Sequence, residues 1–118
     1  MIRFSFPVRA ISKDNEKIFN RQGRFFTSKK FKDFESSLKG YLRHQLPLNF
    51  KRFEKENLHV ALSYHFENKV HCDCSNLPKS TIDAFNEILW KDDRQIKSMT
   101  IDVYEGEKNA IEMFVKAI

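Results

Sequence analysis

The chain has 118 residues, a length that suits one domain with one core and is too short for two. Hydrophobic residues make up 41%, and Gly and Pro number only three each, which excludes a disordered or low-complexity chain and favours regular elements. The net charge of +5 is uneven, because residues 1–52 carry 13 Lys/Arg against 4 Asp/Glu and residues 53–118 carry 8 against 12, so one half attracts polyanions and the other gathers carboxylates.

Residues 2–8 alternate Ile2, Phe4, Phe6, Val8 with other side chains and read as a strand. Residues 12–27 are polar and basic, with a turn signal at Gln22-Gly23, and form the expected mobile loop; a short strand over 24–27 fits within it. Thr27 or Ser28 can cap a helix that runs to about residue 44. Phe31, Phe34, Leu38, Tyr41 and Leu42 fall at helical spacing and predict its buried face. Pro47 prevents continuation.

Residues 57–66 alternate Leu58, Val60, Leu62, Tyr64 and Phe66, a second strand. A second helix fits residues 76–89, with Ile82, Phe85 and Leu89 inward. Met99, Ile101 and Val103 mark a third strand, and Ile111, Met113 and Val115 a fourth; Gly106 between them reads as a hairpin turn. The expected fold is a mixed α/β (α+β) single domain over residues 1–118, with four or five strands carrying two helices on one face. No repeat or linker divides it.

No apolar run is long enough to span a bilayer, and the alternating N-terminus lacks the apolar block of a signal peptide. An intracellular, cytoplasmic location is the expectation. Cys72 and Cys74 on a strand would hold their Cβ atoms roughly 6.5–7 Å apart, whereas a disulfide needs about 3.5–4.5 Å. Free thiols in a reducing compartment are expected. His71, Cys72 and Cys74 fall short of a zinc site without a second cluster.

The informative segment is residues 71–97, HCDCSNLPKSTIDAFNEILWKDDRQIK. Asp73 and Ser75 share one face of an extended chain, and Ser75 can also cap the following helix. Asn76, Lys79, Ser80 and Asp83 recur every three or four residues, making one polar stripe; Lys79 and Asp83 can pair at i, i+4. Asp92 and Asp93 follow in a turn. Carboxylates converging near Asp73 would suit Mg²⁺ or Mn²⁺, which prefer oxygen ligands.

These residues resemble the RusA family of Holliday junction resolvases. That family shows Asp-x-Asp-Asn-x-x-Lys, then Asp-Ala-Leu, then Asp-Asp-x-Gln-Ile. This chain has Asp73, Asn76 and Lys79, then Asp83-Ala84-Phe85, then Asp92-Asp93-Arg94-Gln95-Ile96. The resemblance is strong over residues 73–96 and weaker over 20–34. It implies a homodimeric, bacterial or phage-encoded endodeoxyribonuclease that cuts four-way DNA junctions symmetrically, using Mg²⁺. It implies that Asp73 and Asp93 are metal ligands and that Lys79 faces a phosphate. Asp92 and Ser75 are further candidate ligands. Arg21, Arg24, Lys29 and Lys30 join Lys79 as expected DNA contacts, and Phe25 or Phe26 is a candidate wedge against unstacked bases. Ser75 departs from the pattern, standing where the family has a second Asp. A hydroxyl is a poorer ligand than a carboxylate, so the alternative is a junction-binding protein with weakened catalysis.

Overall fold

The computed structural model of the chain describes residues 2–12, 17–19, 25–27, 29–71 and 74–118. Strand β1 (Ile2–Phe6) comes first, and β2 (Lys17–Phe19) and β3 (Phe25–Thr27) pair with each other antiparallel as a separate two-stranded ladder. Helix α1 (Lys29–Gln45), strand β4 (Leu58–Phe66), helix α2 (Leu77–Phe85), and strands β5 (Ile96–Glu105) and β6 (Ala110–Ala117) complete the order. Two short 3₁₀ turns precede α2 and β5, at Cys74–Asn76 and Asp93–Gln95.

The main sheet has the order β1-β6-β4-β5. β6 runs antiparallel to β1 and β4, and β5 runs parallel to β4. The fold is therefore α+β, a four-stranded mixed sheet with two helices, as the sequence pattern predicts. One expectation is corrected. β5 and β6 do not form a hairpin, because β4 lies between them. The excursion through α2 returns the chain parallel to β4, as a strand–helix–strand crossover does. Residues 106–109 then pass over the end of β4 to start β6 on its other side. Gly106 takes φ of 106°, and its N–H donates to the Phe66 carbonyl at 2.9 Å, closing the end of β4.

The core lies on one face. Phe4 and Phe6 of β1, Leu62 and Tyr64 of β4, and Met113 and Ile111 of β6 stand in register and are buried. Phe31, Phe34, Leu38 and Leu42 bring α1 onto the same cluster, and Leu77, Ile82, Ala84 and Phe85 bring α2. Phe6 stacks on Phe85 with centroids 5.3 Å apart. The buried Tyr64 hydroxyl meets the Thr81 hydroxyl at 2.8 Å, so this polar tip is satisfied. Tyr41, expected on the buried face of α1, is 41% exposed, since Phe31, Phe34, Leu38 and Leu42 alone fill the stripe.

The two sheet edges differ. Beside β1, Gln45 at the end of α1 accepts from the Ser5 N–H at 3.0 Å and donates to the Ser5 carbonyl at 2.8 Å, mimicking a neighbouring strand. At the other edge, β5 is exposed or half-exposed at all ten positions.

Candidate functional site

The turn before β5 is built around Asp92 and Gln95. The Asp92 carboxylate accepts from the Arg94 N–H at 2.8 Å, while the Gln95 side chain accepts from the Asp92 N–H at 2.9 Å, a reciprocal capping box. The buried Gln95 amide also donates to the carbonyls of Phe53 and Glu56, at 3.1 and 3.2 Å, fastening the turn to the chain that enters β4. The Arg94 guanidinium lies on both Asp92 oxygens, the closest at 2.9 Å, and this pairing holds the Asp92 carboxyl below the usual carboxylate range.

Asp93 is placed differently. Trp90, fully buried, donates its indole N–H to Asp93 Oδ1 at 2.8 Å. The other carboxylate oxygen has no hydrogen-bond partner among the described residues. Trp90 is itself fixed by a strand-like bridge to Phe53, with the Phe53 N–H donating to the Leu89 carbonyl and the Lys91 N–H to the Phe53 carbonyl. That bridge explains why α2 stops at Phe85 and does not reach residue 89 as expected. Asn86 leaves the helix in an extended conformation, Glu87 takes a φ of 71°, and the chain turns to meet Phe53.

At the other end of the β4–β5 pair, His71 stacks on Phe66 with centroids 4.2 Å apart and meets the Glu105 carboxylate through Nε2. Ser75 is exposed in the 3₁₀ turn that follows. It is not the cap of α2. Asn76 holds that position, in helical conformation and with no side-chain capping bond, and Pro78 starts the helix. Lys79 is exposed on the first turn of α2 and makes no ion pair among the described residues, so the expected i, i+4 pairing with Asp83 is not formed.

Asp73, Arg21 and Arg24 lie outside the described residues, as do Cys72 and the side chains of Cys74, Phe25 and Phe26. Lys29 and Lys30 are exposed in the first turn of α1, which holds no acidic residue. Cations at a helix N-terminus add to the positive end of its dipole.

The sequence of the chain settles what this turn belongs to. The model of the family described as Endodeoxyribonuclease RusA matches residues 7–116, nearly the whole chain. The chain belongs to the RusA family. Comparison with curated proteins finds no match. Membership places the chain among DNA-cutting nucleases of the junction-resolving type, which depend in general on divalent metal. None of the described helices is long and apolar enough to cross a membrane.

Three contacts around these candidate residues involve side chains that carry no chemistry in the sequence motif. Trp90 orients Asp93, Gln95 anchors the turn, and His71 meets Glu105. The Asp92-x-x-Gln95 spacing carries a legible capping-box signal. Nothing local in the sequence announces the other two contacts.

Proposed function

We propose that this RusA protein is a Mg²⁺-dependent, structure-selective endodeoxyribonuclease that acts as a homodimer. It resolves four-way junctions by paired, symmetric phosphodiester hydrolysis, with Mn²⁺ able to replace Mg²⁺. The observation that carries the reading is Asp93, a half-buried carboxylate aimed by the Trp90 indole, one oxygen still unengaged among the described residues, within the family's Asp-Asp-x-Gln-Ile run.

The donor chemistry fits the ion. Asp93 and Asp73 offer hard carboxylate oxygens, the ligands Mg²⁺ prefers. Asp92 contributes less, because Arg94 occupies both its oxygens. No group of three ligating side chains gathers among the described residues, so the set needs Asp73 or residues from a second protomer. A bound divalent ion would supply Lewis-acid chemistry at the scissile phosphate. Lys79, with no ion partner among the described residues, would set a fixed cation beside that phosphate. Lys29 and Lys30 would hold the flanking backbone.

The second reading, a junction-binding protein with weakened catalysis, draws on Ser75. That side chain does not cap α2, so no helix-capping role accounts for a hydroxyl at this position. Asp93→Asn separates the two. If the protein is a nuclease, the variant loses about 100-fold or more in nicking rate, as loss of a key transition-state group does, and keeps its junction affinity in chelator. A wild-type protein that binds junctions but yields no metal-dependent product supports the second reading instead.

A further inference from the structure

We propose that Arg9 is a positioning residue for the metal-binding run that begins at Asp73, acting through residues 66–71 and not through contact with DNA. The inference rests on the nuclease reading for the role it gives Asp73; the fastening itself is argued from the contacts of Arg9.

β4 ends at Phe66, and the chain then passes through residues 67–70, which are exposed and lie outside helix and strand. A segment of that kind has few contacts of its own and opens at low free energy unless something ties it down. Its hydrogen bonds converge on two asparagines. The Glu67 N–H donates to Asn109 Oδ1 at 3.0 Å, and the Val70 N–H donates to Asn68 Oδ1 at 3.1 Å. Arg9 joins both: Nη1 donates to Asn109 Oδ1 at 3.2 Å and Nη2 to Asn68 Oδ1 at 3.3 Å, and Nη2 also meets the Val70 carbonyl. The same guanidinium lies over the Phe66 ring, 5.2 Å from its centroid. One side chain therefore joins the exit of β1, the end of β4 with the segment that follows it, and the residue before β6.

The residue type matters. A guanidinium is a planar fork of five donors, so it can serve several oxygens while its face rests on a ring; a lysine ammonium cannot do both. Arg9 also stands on a firm base. The Val8 N–H donates to the Phe6 carbonyl at 2.9 Å, and Ala10 is buried in the core. Arg9 is half-buried, with its donors on neutral oxygens of the protein, whereas a cation that grips phosphate needs its donors turned to solvent.

The far end of the segment is held on the same ring. His71 stacks on the buried Phe66 at 4.2 Å and meets Glu105. Phe66 is thus a common seat for Arg9 and His71, and the backbone between them is fixed before the chain reaches Asp73. Groups that orient metal ligands from outside the ligand set are worth about 10–100-fold in metal affinity.

The test compares the full wild-type chain with Arg9→Ala, Arg9→Lys and Asn109→Ala. It reads Mn²⁺ binding without DNA, from the spin-resonance signal of the free ion, then junction affinity in chelator, and the Mg²⁺ concentration at half-maximal nicking. Both Arg9 variants should raise the Mn²⁺ dissociation constant at least about tenfold, shift the Mg²⁺ requirement the same way, and keep junction affinity in chelator. Lysine should not rescue, because it restores the charge without the fork. Asn109→Ala removes the shared acceptor and no charge, so it should weaken Mn²⁺ binding too, and it carries the test if an Arg9 variant fails to fold. Wild-type Mn²⁺ binding in Arg9→Lys or in Asn109→Ala, junction affinity lost in Arg9→Ala with metal binding intact, or a wild type that binds no Mn²⁺ would overturn the proposal. If the wild type cuts junctions and the variants share its metal dependence, Arg9 has no positioning role and the nuclease reading stands. If Mn²⁺ binding depends on Arg9 in a wild type that never cuts DNA, the positioning role stands and the nuclease reading falls.

Discussion

At the residue scale, the two adjacent carboxylates of the Asp92-Asp93 turn have different jobs. Asp92 is consumed by structure, its oxygens taken by the Arg94 N–H and guanidinium. Its folded-state pKa is lowered, so its contribution to stability is present above the ordinary carboxylate range and is lost as pH falls through the lowered value. Arg94→Ala should weaken that dependence, leaving the part due to the backbone N–H of residue 94, seen as a smaller fall in thermal midpoint between neutral and strongly acidic pH. Asp93 is held by one bond from Trp90. Trp90→Phe should leave Asp93 unaimed and slow cleavage more than it weakens junction binding. It should also cost about 1–3 kcal/mol of stability through lost packing, measured by urea unfolding. Lys79→Ala should lower the turnover rate more than the affinity. Ser75→Asp should tighten metal binding, read by the Mg²⁺ concentration at half-maximal cutting; an unchanged value would mean the site is already complete.

At the element scale, periodicity was a sound guide to which residues form strands and helices, and a poor guide to pairing. The stripe of Phe31, Phe34, Leu38 and Leu42 is legible because burial repeats with the helix turn. The alternation of β4 is legible because one face meets the core. The partner of β5 is not legible, since alternation marks a face and not a neighbour, and a Gly-containing connection suits a hairpin and a crossing loop equally. The early end of α2 depends on Phe53, more than thirty residues upstream, which local propensity cannot see. The same long-range fastening makes Gln95 a sensitive position. Gln95→Ala removes the side-chain partners of the Glu56 carbonyl and the Asp92 N–H in a partly buried place and leaves the Phe53 carbonyl with the Lys91 N–H as its donor. Its expected cost is about 1–3 kcal/mol, with a displaced Asp92-Asp93 turn and reduced cutting.

At the scale of the whole molecule, the motif run 73–96 was enough to point to the family, while the distance between its parts was not. The segment reads as one cluster in sequence, yet His71 and Asp93 stand at opposite ends of the β4–β5 pair. Connectivity alone cannot reveal that, because it depends on the direction in which β5 returns. The excess of positive charge in the first half, displayed at Lys29 and Lys30 on the first turn of α1, should appear as salt-sensitive junction binding. Each phosphate neutralised adds about −0.9 to the log–log slope of affinity against salt. The most direct measurement is a cleavage assay on a synthetic four-way junction beside linear duplex of the same sequence, with Mg²⁺, with Mn²⁺ and with chelator. Paired nicks on the junction alone, present with either ion and absent with chelator, are the predicted result; equal cutting of both substrates, or products that persist in chelator, would contradict it.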